Sequence, residues 1–501
     1  MSRKSAVAVA VAVAVAVAAA ASALTNLALA APPANDPESF SDATGIIETY
    51  SNAGRIDTGS AFFQSLGTNG RSCSSCHVAS EAMGLSAAGV RARYVSTRGK
   101  DPIFAPVDGA NCPNGQLGSA AAHSLLLGNG LIRVGITLPA KPEFTISVVH
   151  DPYGCAITTD AQGDLTVSVY RRPLPSANLS FLSAVMFDGR ETVVPLTDST
   201  SFLANLVTDL THQALDATNG HAQAAHPPSS QQLADIVHFE LGLFSAQRRD
   251  NMAGNLSEHG GLGGARNLAQ QEYYPGINDA LGGDPTGQAF NPSAMSLFAS
   301  WAKLTDADAM TPADGFRNAM RAAIAAGEKL FNTFPITITN VRGLNDNAAL
   351  GKPTSISGHC STCHDAPNVG DHSLPVPLDI GTSHSVLASM ESDRQIRAGL
   401  EQLSVPNLPV YLISGCPDPF NAGESASFYT SDPGKALVSG LCSDFNRIKG
   451  PILRGLAARA PYFHNGAAAT LMEAVDFYNE RFEMGLTREQ KAELVAFLNS
   501  L

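Results

Sequence analysis

Two short segments of this chain combine the residue types that bind a metal cofactor covalently. Residues 73–77 (CSSCH) and 360–364 (CSTCH) share the pattern Cys-x-x-Cys-His, which is the attachment sequence of c-type haem. The thiols of each segment can bond to vinyl groups of one porphyrin, and the histidine then becomes the proximal iron ligand. A redox cysteine pair or half of a zinc site is the alternative for a single copy. The residues expected to hold two covalent haems are Cys73, Cys76, His77, Cys360, Cys363 and His364.

The amino terminus has the composition of an export signal. Arg3 and Lys4 precede an Ala/Val stretch over residues 6–23, and residues 28–30 (ALA) form a cleavage site. We therefore predict a signal peptide over residues 1–30 and a periplasmic protein, since c-type haem is attached outside the bacterial inner membrane. An uncleaved membrane anchor is the alternative, but polar residues interrupt the apolar stretch before the cleavage site.

The charge and the remaining cysteines constrain partners and compartment. A formal net charge of −13 argues against nucleic acid and permits steering of a small basic electron donor, such as a cytochrome c or a cupredoxin. No later segment has a transmembrane composition, so no membrane partner is expected after cleavage. In an oxidising compartment the other four cysteines predict two local disulfides, Cys112 with Cys155 and Cys416 with Cys442; free buried thiols are the alternative.

The local patterns around both motifs are helical. Residues 310–331 read as a boundary followed by a helix, and residues 487–501 read as a final helix whose capping box pairs Thr487 with Gln490. The motifs are 287 positions apart (360 minus 73), too far for one small cytochrome domain. We predict a mainly α fold with two c-type cytochrome domains, residues 31–315 and 316–501. Alternating residues 144–149 and 165–170 predict a small β-hairpin inserted in the first domain.

Several landmarks resemble the bacterial di-haem cytochrome c peroxidases and their MauG-type relatives. Residues 451–456 (PILRGL) followed by 460–466 (APYFHNG) are similar to the family's P-x-L-R-N and APYFH[DN]G segments. Residues 171–178 (RRPLPSAN) look like its R-N-x-P-x-L-x-N, and residues 187–190 (FDGR) look like its W-D-G-R. The resemblance implies that the N-terminal haem meets peroxide while the C-terminal haem relays electrons, and it makes an inter-domain calcium ion a further expected cofactor, with unassigned ligands.

The chain departs from this family at three positions. Phe187 stands where the family has a tryptophan between the haems, and the single tryptophan is Trp301. Gln223 stands where the resemblance implies the catalytic glutamate; an amide donates hydrogen bonds but cannot relay a proton as a carboxylate does. His221 could serve instead, so His221 and Gln223 are the expected catalytic residues. Residues 445–449 (FNRIK) lack the methionine or tyrosine ligand of many members.

The sixth iron ligands follow less directly from the sequence. His464 is the candidate for the C-terminal haem, because the usual methionine is missing and the His of a similar turn is axial in the related rubber-oxygenase branch. A supporting role for His464 in the pocket is the alternative, and Met390 is the second candidate.

No strong ligand is evident for the N-terminal haem, which favours an open iron. His212 and His226 lie close to His221 in the sequence. Three further histidines are expected to be structural or exposed: His238, His259 and His372.

These features predict a periplasmic di-haem c-type oxidoreductase. It would reduce hydrogen peroxide, or use another small oxidant, at the N-terminal haem, with electrons relayed by the C-terminal haem from a periplasmic donor. The alternative is a non-enzymatic di-haem electron-transfer cytochrome, in which both irons have six ligands.

Overall fold

The computed structural model describes residues 37–305, 308–364, 376–383, 405, 407–420 and 423–501. The predicted signal peptide and the candidates His372 and Met390 lie outside these residues. The α-helices of the described chain are α1 (Ala87–Thr97), α2 (Ser124–Asn129), α3 (Phe202–Gly220), α4 (Ser230–Leu241), α5 (Ala265–Leu268), α6 (Pro312–Thr333), α7 (Ala436–Ser439), α8 (Leu471–Arg481) and α9 (Arg488–Asn499). The strands are β1 (Glu38–Ser41), β2 (Gly45–Ser51), β3 (Ile132–Thr137), β4 (Thr145–His150), β5 (Ile157–Thr159), β6 (Leu165–Arg171), β7 (Leu243–Asp250), β8 (Gly254–Asn255), β9 (Ile336–Ile338), β10 (Ile356–Gly358), β11 (Val410–Pro417) and β12 (Ser425–Thr430).

Four antiparallel sheets make the fold a mixture of helix and strand. Their strand orders are β1-β2-β7-β8, β3-β6-β5, β12-β11-β4 and β10-β9. The prediction of a mainly α fold is therefore wrong, and the described elements do not show two c-type cytochrome domains. That prediction extended the helical patterns beside the haem motifs to the whole chain. The strands are short and several pair with distant partners, which local periodicity does not report.

The two segments predicted to form one β-hairpin are strands of different sheets. Thr145–His150 (β4) pairs with β11, whereas Leu165–Arg171 (β6) pairs with β3 and β5. Alternation identified both strands correctly, but the hairpin is wrong. The fully buried Tyr411 of β11 joins the two sheets, because its hydroxyl donates a hydrogen bond to the Ser168 carbonyl oxygen of β6 at 2.5 Å. The division of the chain at residue 315 stays a prediction.

Two predicted helices are confirmed, and they pack against each other. Thr311 caps α6 by accepting a backbone hydrogen bond, and Thr487 and Gln490 form the expected capping box at the start of α9. Gly327 of α6 lies against α9, where a Cβ atom would come within 2.0 Å of the Glu493 carbonyl oxygen. The absence of a side chain at Gly327 therefore lets the two helices approach closely behind the second haem motif, which α6 also contacts.

The four cysteines outside the haem motifs form the two predicted local pairs. The Cα atoms of Cys112 and Cys155 are 6.0 Å apart, and those of Cys416 and Cys442 are 5.5 Å apart, as in protein disulfides. The prediction of two local disulfides is confirmed by this geometry. No helix among the described residues has both the length and the apolar composition needed to cross a membrane.

Candidate functional site

The first haem motif folds as one tight turn. Cys73–Ser75 form a 3-10 helix, and the amides of Cys76 and His77 both donate hydrogen bonds to the Cys73 carbonyl oxygen at 3.1 Å. The Nδ1 atom of His77 lies 3.2 Å from the Met83 carbonyl oxygen. A proton on Nδ1 donates to this carbonyl and leaves Nε2 as the nitrogen that can bind iron. Burial lowers the pKa of His77 to about 4, so the ring is neutral, as a metal ligand must be.

A cavity of about 160 Å³ lies beside this first turn, and we call it the first cavity. Its wall includes both thiols of the motif and apolar side chains of α3 and α4. The ionisable groups that line it, apart from the motif, include Arg71, Asp108, His221 and Glu240. Ionisable groups gathered in an apolar cavity are a common property of catalytic sites.

Arg71, Asp108 and His221 form a connected chain of polar side chains in the first cavity. Arg71 Nη1 pairs with one oxygen of the buried Asp108 carboxylate, and the other oxygen contacts His221 Nδ1. Burial alone would raise the pKa of Asp108, but the hydrogen bonds and charges of His221 and Arg71 hold it below its ordinary value. The carboxylate therefore stays ionised and keeps a proton on His221 Nδ1, so Nε2 is the nitrogen available to a ligand in the cavity.

Glu240 is a functional candidate that the sequence did not reveal. Its side chain lines the first cavity, is 5 % exposed and has no hydrogen-bond partner at Oε2. Burial raises the pKa of Glu240 to about 8, so the carboxyl group holds a proton at neutral pH. A signal was present in the helical periodicity, since Leu233, Ile236, Val237 and Glu240 follow the i, i+3, i+4, i+7 pattern of the buried face of α4.

Gln223 lies outside the first cavity. Gln223 is exposed, and its backbone φ of +53° lies in the left-handed region. The side-chain Oε1 atom of Gln223 accepts a hydrogen bond from Asn69 Nδ2 at 3.3 Å. Its carbonyl oxygen accepts a hydrogen bond from Thr68 Oγ1 at 2.8 Å. The structure thus brings His221 to the haem motif but places Gln223 in a contact that fastens the segment after α3 to residues 68–69.

Four other candidate histidines of the described chain, His212, His226, His238 and His259, line neither cavity. His226, His238 and His259 are exposed, as expected for His238 and His259. His212 contacts the Glu191 carboxylate, with Nδ1 and Oε2 2.7 Å apart.

The second haem motif repeats the construction of the first. Cys360–Thr362 form a 3-10 helix, and the amides of Cys363 and His364 donate hydrogen bonds to the Cys360 carbonyl oxygen at 3.2 and 3.1 Å. Phe331 lies 6.3 Å from the His364 ring, between centroids, just as Phe62 lies 6.2 Å from His77. A larger and predominantly apolar cavity of about 260 Å³, the second cavity, is lined by this motif.

His464 lies in the wall of the second cavity and is 3 % exposed. Its Nε2 atom is 3.3 Å from Ser383 Oγ and 3.7 Å from Asp432 Oδ2. Arg171 holds Asp432 in place through hydrogen bonds of 2.7 and 2.9 Å. Burial lowers the pKa of His464 to about 4 although Asp432 opposes the shift. His464 is therefore a neutral, positioned imidazole in the same cavity as Cys360, Cys363 and His364, which is what its predicted role as a ligand requires.

One thin partition separates the two cavities. Residues 173–175 and Lys449 line both of them, and the consecutive residues Met186 and Phe187 line the first and the second cavity respectively. The Lys449 amide donates to the Phe187 carbonyl oxygen at 2.7 Å, and the Phe187 ring makes an edge contact with His464 at 6.1 Å between centroids. Trp301 is instead buried in an apolar cluster against Phe298. The aromatic residue at the partition is therefore a phenylalanine.

Two arginines place positive charge on the wall of the second cavity, and no aspartate or glutamate is among the described residues that line it. Arg172 is 7 % exposed, lines the cavity and has no hydrogen-bond partner at Nη1. Burial, with the nearby charge of Arg459, lowers the pKa of Arg172 to about 9. Arg459 also lines the cavity, and its guanidinium donates to carbonyl oxygens, including that of Ile452 at 3.0 Å. Buried cations without an anion are costly, so this wall fits the carboxylate groups that a porphyrin carries.

Comparison with known proteins gives one distant relationship. The chain is 33% identical over 159 residues to a protein described as "Cytochrome-c peroxidase IdrP2" from Denitromonas iodatirespirans. The match covers 29% of this chain and 36% of the relative, so it spans about a third of the relative's length. No family model matches the chain, and no solved structure matches it. The chain is thus distantly similar to a cytochrome-c peroxidase over part of its length.

Proposed function

We propose that the protein is a periplasmic di-haem oxidoreductase that reduces hydrogen peroxide in the first cavity. One observation carries this proposal: the cavity beside His77 contains an imidazole oriented by Asp108 and a protonated buried carboxyl group, Glu240. The partial similarity to a cytochrome-c peroxidase supports the same reaction. An electron carrier alone has no need of proton-donating groups beside its iron.

A haem bound to Cys73 and Cys76 would supply the iron and electrons that cleave the O–O bond. The chain's own residues then have two tasks. His221 Nε2 can accept the proton that peroxide loses on binding, because Asp108 keeps the other ring proton on Nδ1. The negative charge of Asp108, which contacts the ring at Nδ1, stabilises the imidazolium that forms.

Glu240 supplies a further proton. Reduction of one peroxide molecule to two waters consumes two electrons and two protons, and a carboxyl group with a pKa of about 8 is loaded near neutral pH. Positioned acids and bases of this kind contribute roughly 10²- to 10⁴-fold to a reaction rate. Glu240 therefore provides the carboxyl function that the family resemblance implied for position 223.

The second cavity is suited to electron relay. A neutral His464 can complete the coordination of an iron held by His364, which would keep that iron from reacting with peroxide. The shared partition of residues 173–175, Phe187 and Lys449 gives a short path between the two sites. A small basic cytochrome c or cupredoxin is the expected donor for a chain of net charge −13.

Stopped-flow mixing of the half-reduced, haem-loaded protein with hydrogen peroxide tests the proposal. The high-spin haem signal is expected to change rapidly in the unmodified protein. The rate is expected to fall by about 10²-fold in Glu240→Gln and in His221→Ala. His238→Ala is the matched control, because His238 is exposed on the same helix as Glu240 and its loss is expected to leave the rate unchanged.

A comparison with Gln223→Ala separates the structural expectation from that of the family resemblance. If Gln223→Ala slows the reaction while Glu240→Gln does not, the assignment to Glu240 is wrong. If peroxide leaves both haems unchanged while a small cytochrome c exchanges electrons freely with the protein, the electron-carrier function replaces the enzymatic one.

A further inference from the structure

A second cluster of potential metal ligands lies on another face of α3, outside both cavities. Glu191, His212 and Asp216 each offer one ligand atom, and these atoms all lie within 4.8 Å of one another. His212 and Asp216 are four residues apart on α3, so they share one helix face, while Glu191 comes from the loop after Phe187. We propose that these three residues bind one divalent transition-metal ion of the Zn²⁺ class. This proposal is independent of the haem chemistry.

The donor set determines the class of metal. One imidazole nitrogen and two carboxylate oxygens match the mixed ligand sets of zinc sites, which often use three protein ligands and leave a position for water. Calcium and magnesium prefer oxygen ligands throughout. The histidine therefore favours Zn²⁺ and its transition-metal neighbours. His212 and Asp216 are exposed, so an ion can reach the site from solvent.

Asp209 adds a buried carboxylate to the same helix as His212 and Asp216. It lies three residues before His212 on α3, is fully buried and has no hydrogen-bond partner at Oδ2. Its other oxygen accepts hydrogen bonds of 2.9 Å from the amides of Val193 and Val194, which follow Glu191 in the same loop. Burial chiefly, with a contribution from the charge of Glu191, raises the pKa of Asp209 to about 6. This side of α3 thus concentrates negative charge that a cation would relieve.

The nearest positive charge is already shared with another carboxylate. Arg190 Nε lies 3.7 Å from Glu191 Oε1, but its Nη1 atom is 3.1 Å from both oxygens of Asp188. Arg190 therefore divides its single charge between Asp188 and Glu191. An ion bound there would join α3 to residues 188–191. These residues directly follow Met186 and Phe187 in the chain, so the ion would also stabilise the partition between the two cavities.

Equilibrium dialysis against Zn²⁺ tests the site. The protein is loaded with haem and first stripped of every metal ion other than haem iron. One Zn²⁺ per chain is expected, with the affinity lowered about 100-fold or more in His212→Ala and in Glu191→Gln, as for loss of groups that hold a metal. His226→Ala is the control for adventitious binding, because His226 is exposed and outside the cluster. Unchanged haem absorption in each variant verifies that the fold is retained.

Zinc-edge X-ray absorption gives a second readout that haem iron does not disturb. The expected spectrum has a first shell of nitrogen and oxygen with imidazole scattering that disappears in His212→Ala. Equal zinc affinity in the unmodified protein and in His212→Ala overturns the proposal. So does a site that binds Ca²⁺ as tightly as Zn²⁺, because the imidazole would then not be a ligand.

Discussion

Asp108 and His221 lie 113 positions apart in the chain, yet the buried carboxylate of Asp108 contacts Nδ1 of the His221 ring. This pair connects the loop before β3 to the end of α3. Arg71 contacts the other oxygen of the same carboxylate. Asp108 therefore both orients the imidazole of His221 and neutralises the buried guanidinium of Arg71.

Replacement of Asp108 is expected to separate these two effects. Asp108→Asn removes the charge that favours a proton on His221 Nδ1, so the reaction with peroxide should slow at least as much as in His221→Ala, by about 10²-fold. It also leaves Arg71 without a buried anion, which costs roughly 3–5 kcal/mol of unfolding free energy. His221→Ala keeps the Arg71–Asp108 pair. A denaturant titration in which both variants lose equal stability would contradict this division of roles.

Each Cys-x-x-Cys-His motif is expected to bind its own haem. Intact mass spectrometry of exported protein should exceed the cleaved polypeptide by two haem masses. A variant with Cys73 and Cys76 both changed to Ser should lose one haem, and the Cys360 and Cys363 counterpart should lose the other. Detection of one haem, or none, in correctly exported unmodified protein would remove the basis of the proposed function.

His464→Ala is expected to convert one haem from low spin to high spin. The physical reason is the loss of the neutral imidazole from the second cavity, which would leave the iron held by His364 with an open position. Ser383→Ala is the matched control, since it removes only the 3.3 Å contact of His464 Nε2. A low-spin spectrum that persists in His464→Ala assigns His464 to a supporting role.

Arg172→Gln is expected to lower the reduction potential of the haem in the second cavity. A positive charge beside a cofactor favours the reduced form, so its removal should shift the midpoint by on the order of 60 mV, a tenfold change for one electron. Arg55→Gln removes an exposed arginine outside both cavities and serves as the control. Equal shifts in the two variants would mean that Arg172 acts only through net charge.

Glu240 should make stability depend on pH. Its folded pKa of about 8 lies above the ordinary value of 4.5, so between these values the folded chain holds a proton that the unfolded chain has lost. The stabilisation is therefore fully present below about pH 4.5 and is lost as pH rises through about 8. Glu240→Gln should flatten this part of the unfolding profile, by on the order of a few kcal/mol across the window. Identical slopes in both proteins would show that Glu240 ionises freely when folded.

The sequence predicted helix ends and short-range disulfides well, because these features depend on interactions between residues that are close in the chain. The capping box of Thr487 and Gln490, the helix that α6 forms and the short-range disulfides all depend on residues close in sequence. Strand pairing was not predictable in this way. The alternation in β4 indicates a strand, but nothing within it identifies β11 as its partner.

The candidate site shows the same division. His77 and His364 followed from motifs, and His221 was identified from its place in the resemblance. Glu240 was missed because a carboxyl group becomes functional through burial, which depends on how α4 packs against the first motif. Gln223 aligned with a family position, yet the turn after α3 directs its hydrogen bonds to Thr68 and Asn69.

The pairing of β4 with β11 has a consequence for the order of assembly. During synthesis, residues 145–150 emerge long before residues 410–417, which are their pairing partners. Until then β4 presents unsatisfied backbone groups and the exposed side chains of Val148 and Val149, the kind of edge through which chains aggregate. Contacts between segments so far apart also close slowly. A chain that contains β4 but ends before β11 would therefore be left with this edge open, so β4 depends on the carboxyl-terminal part of the chain for its pairing partner.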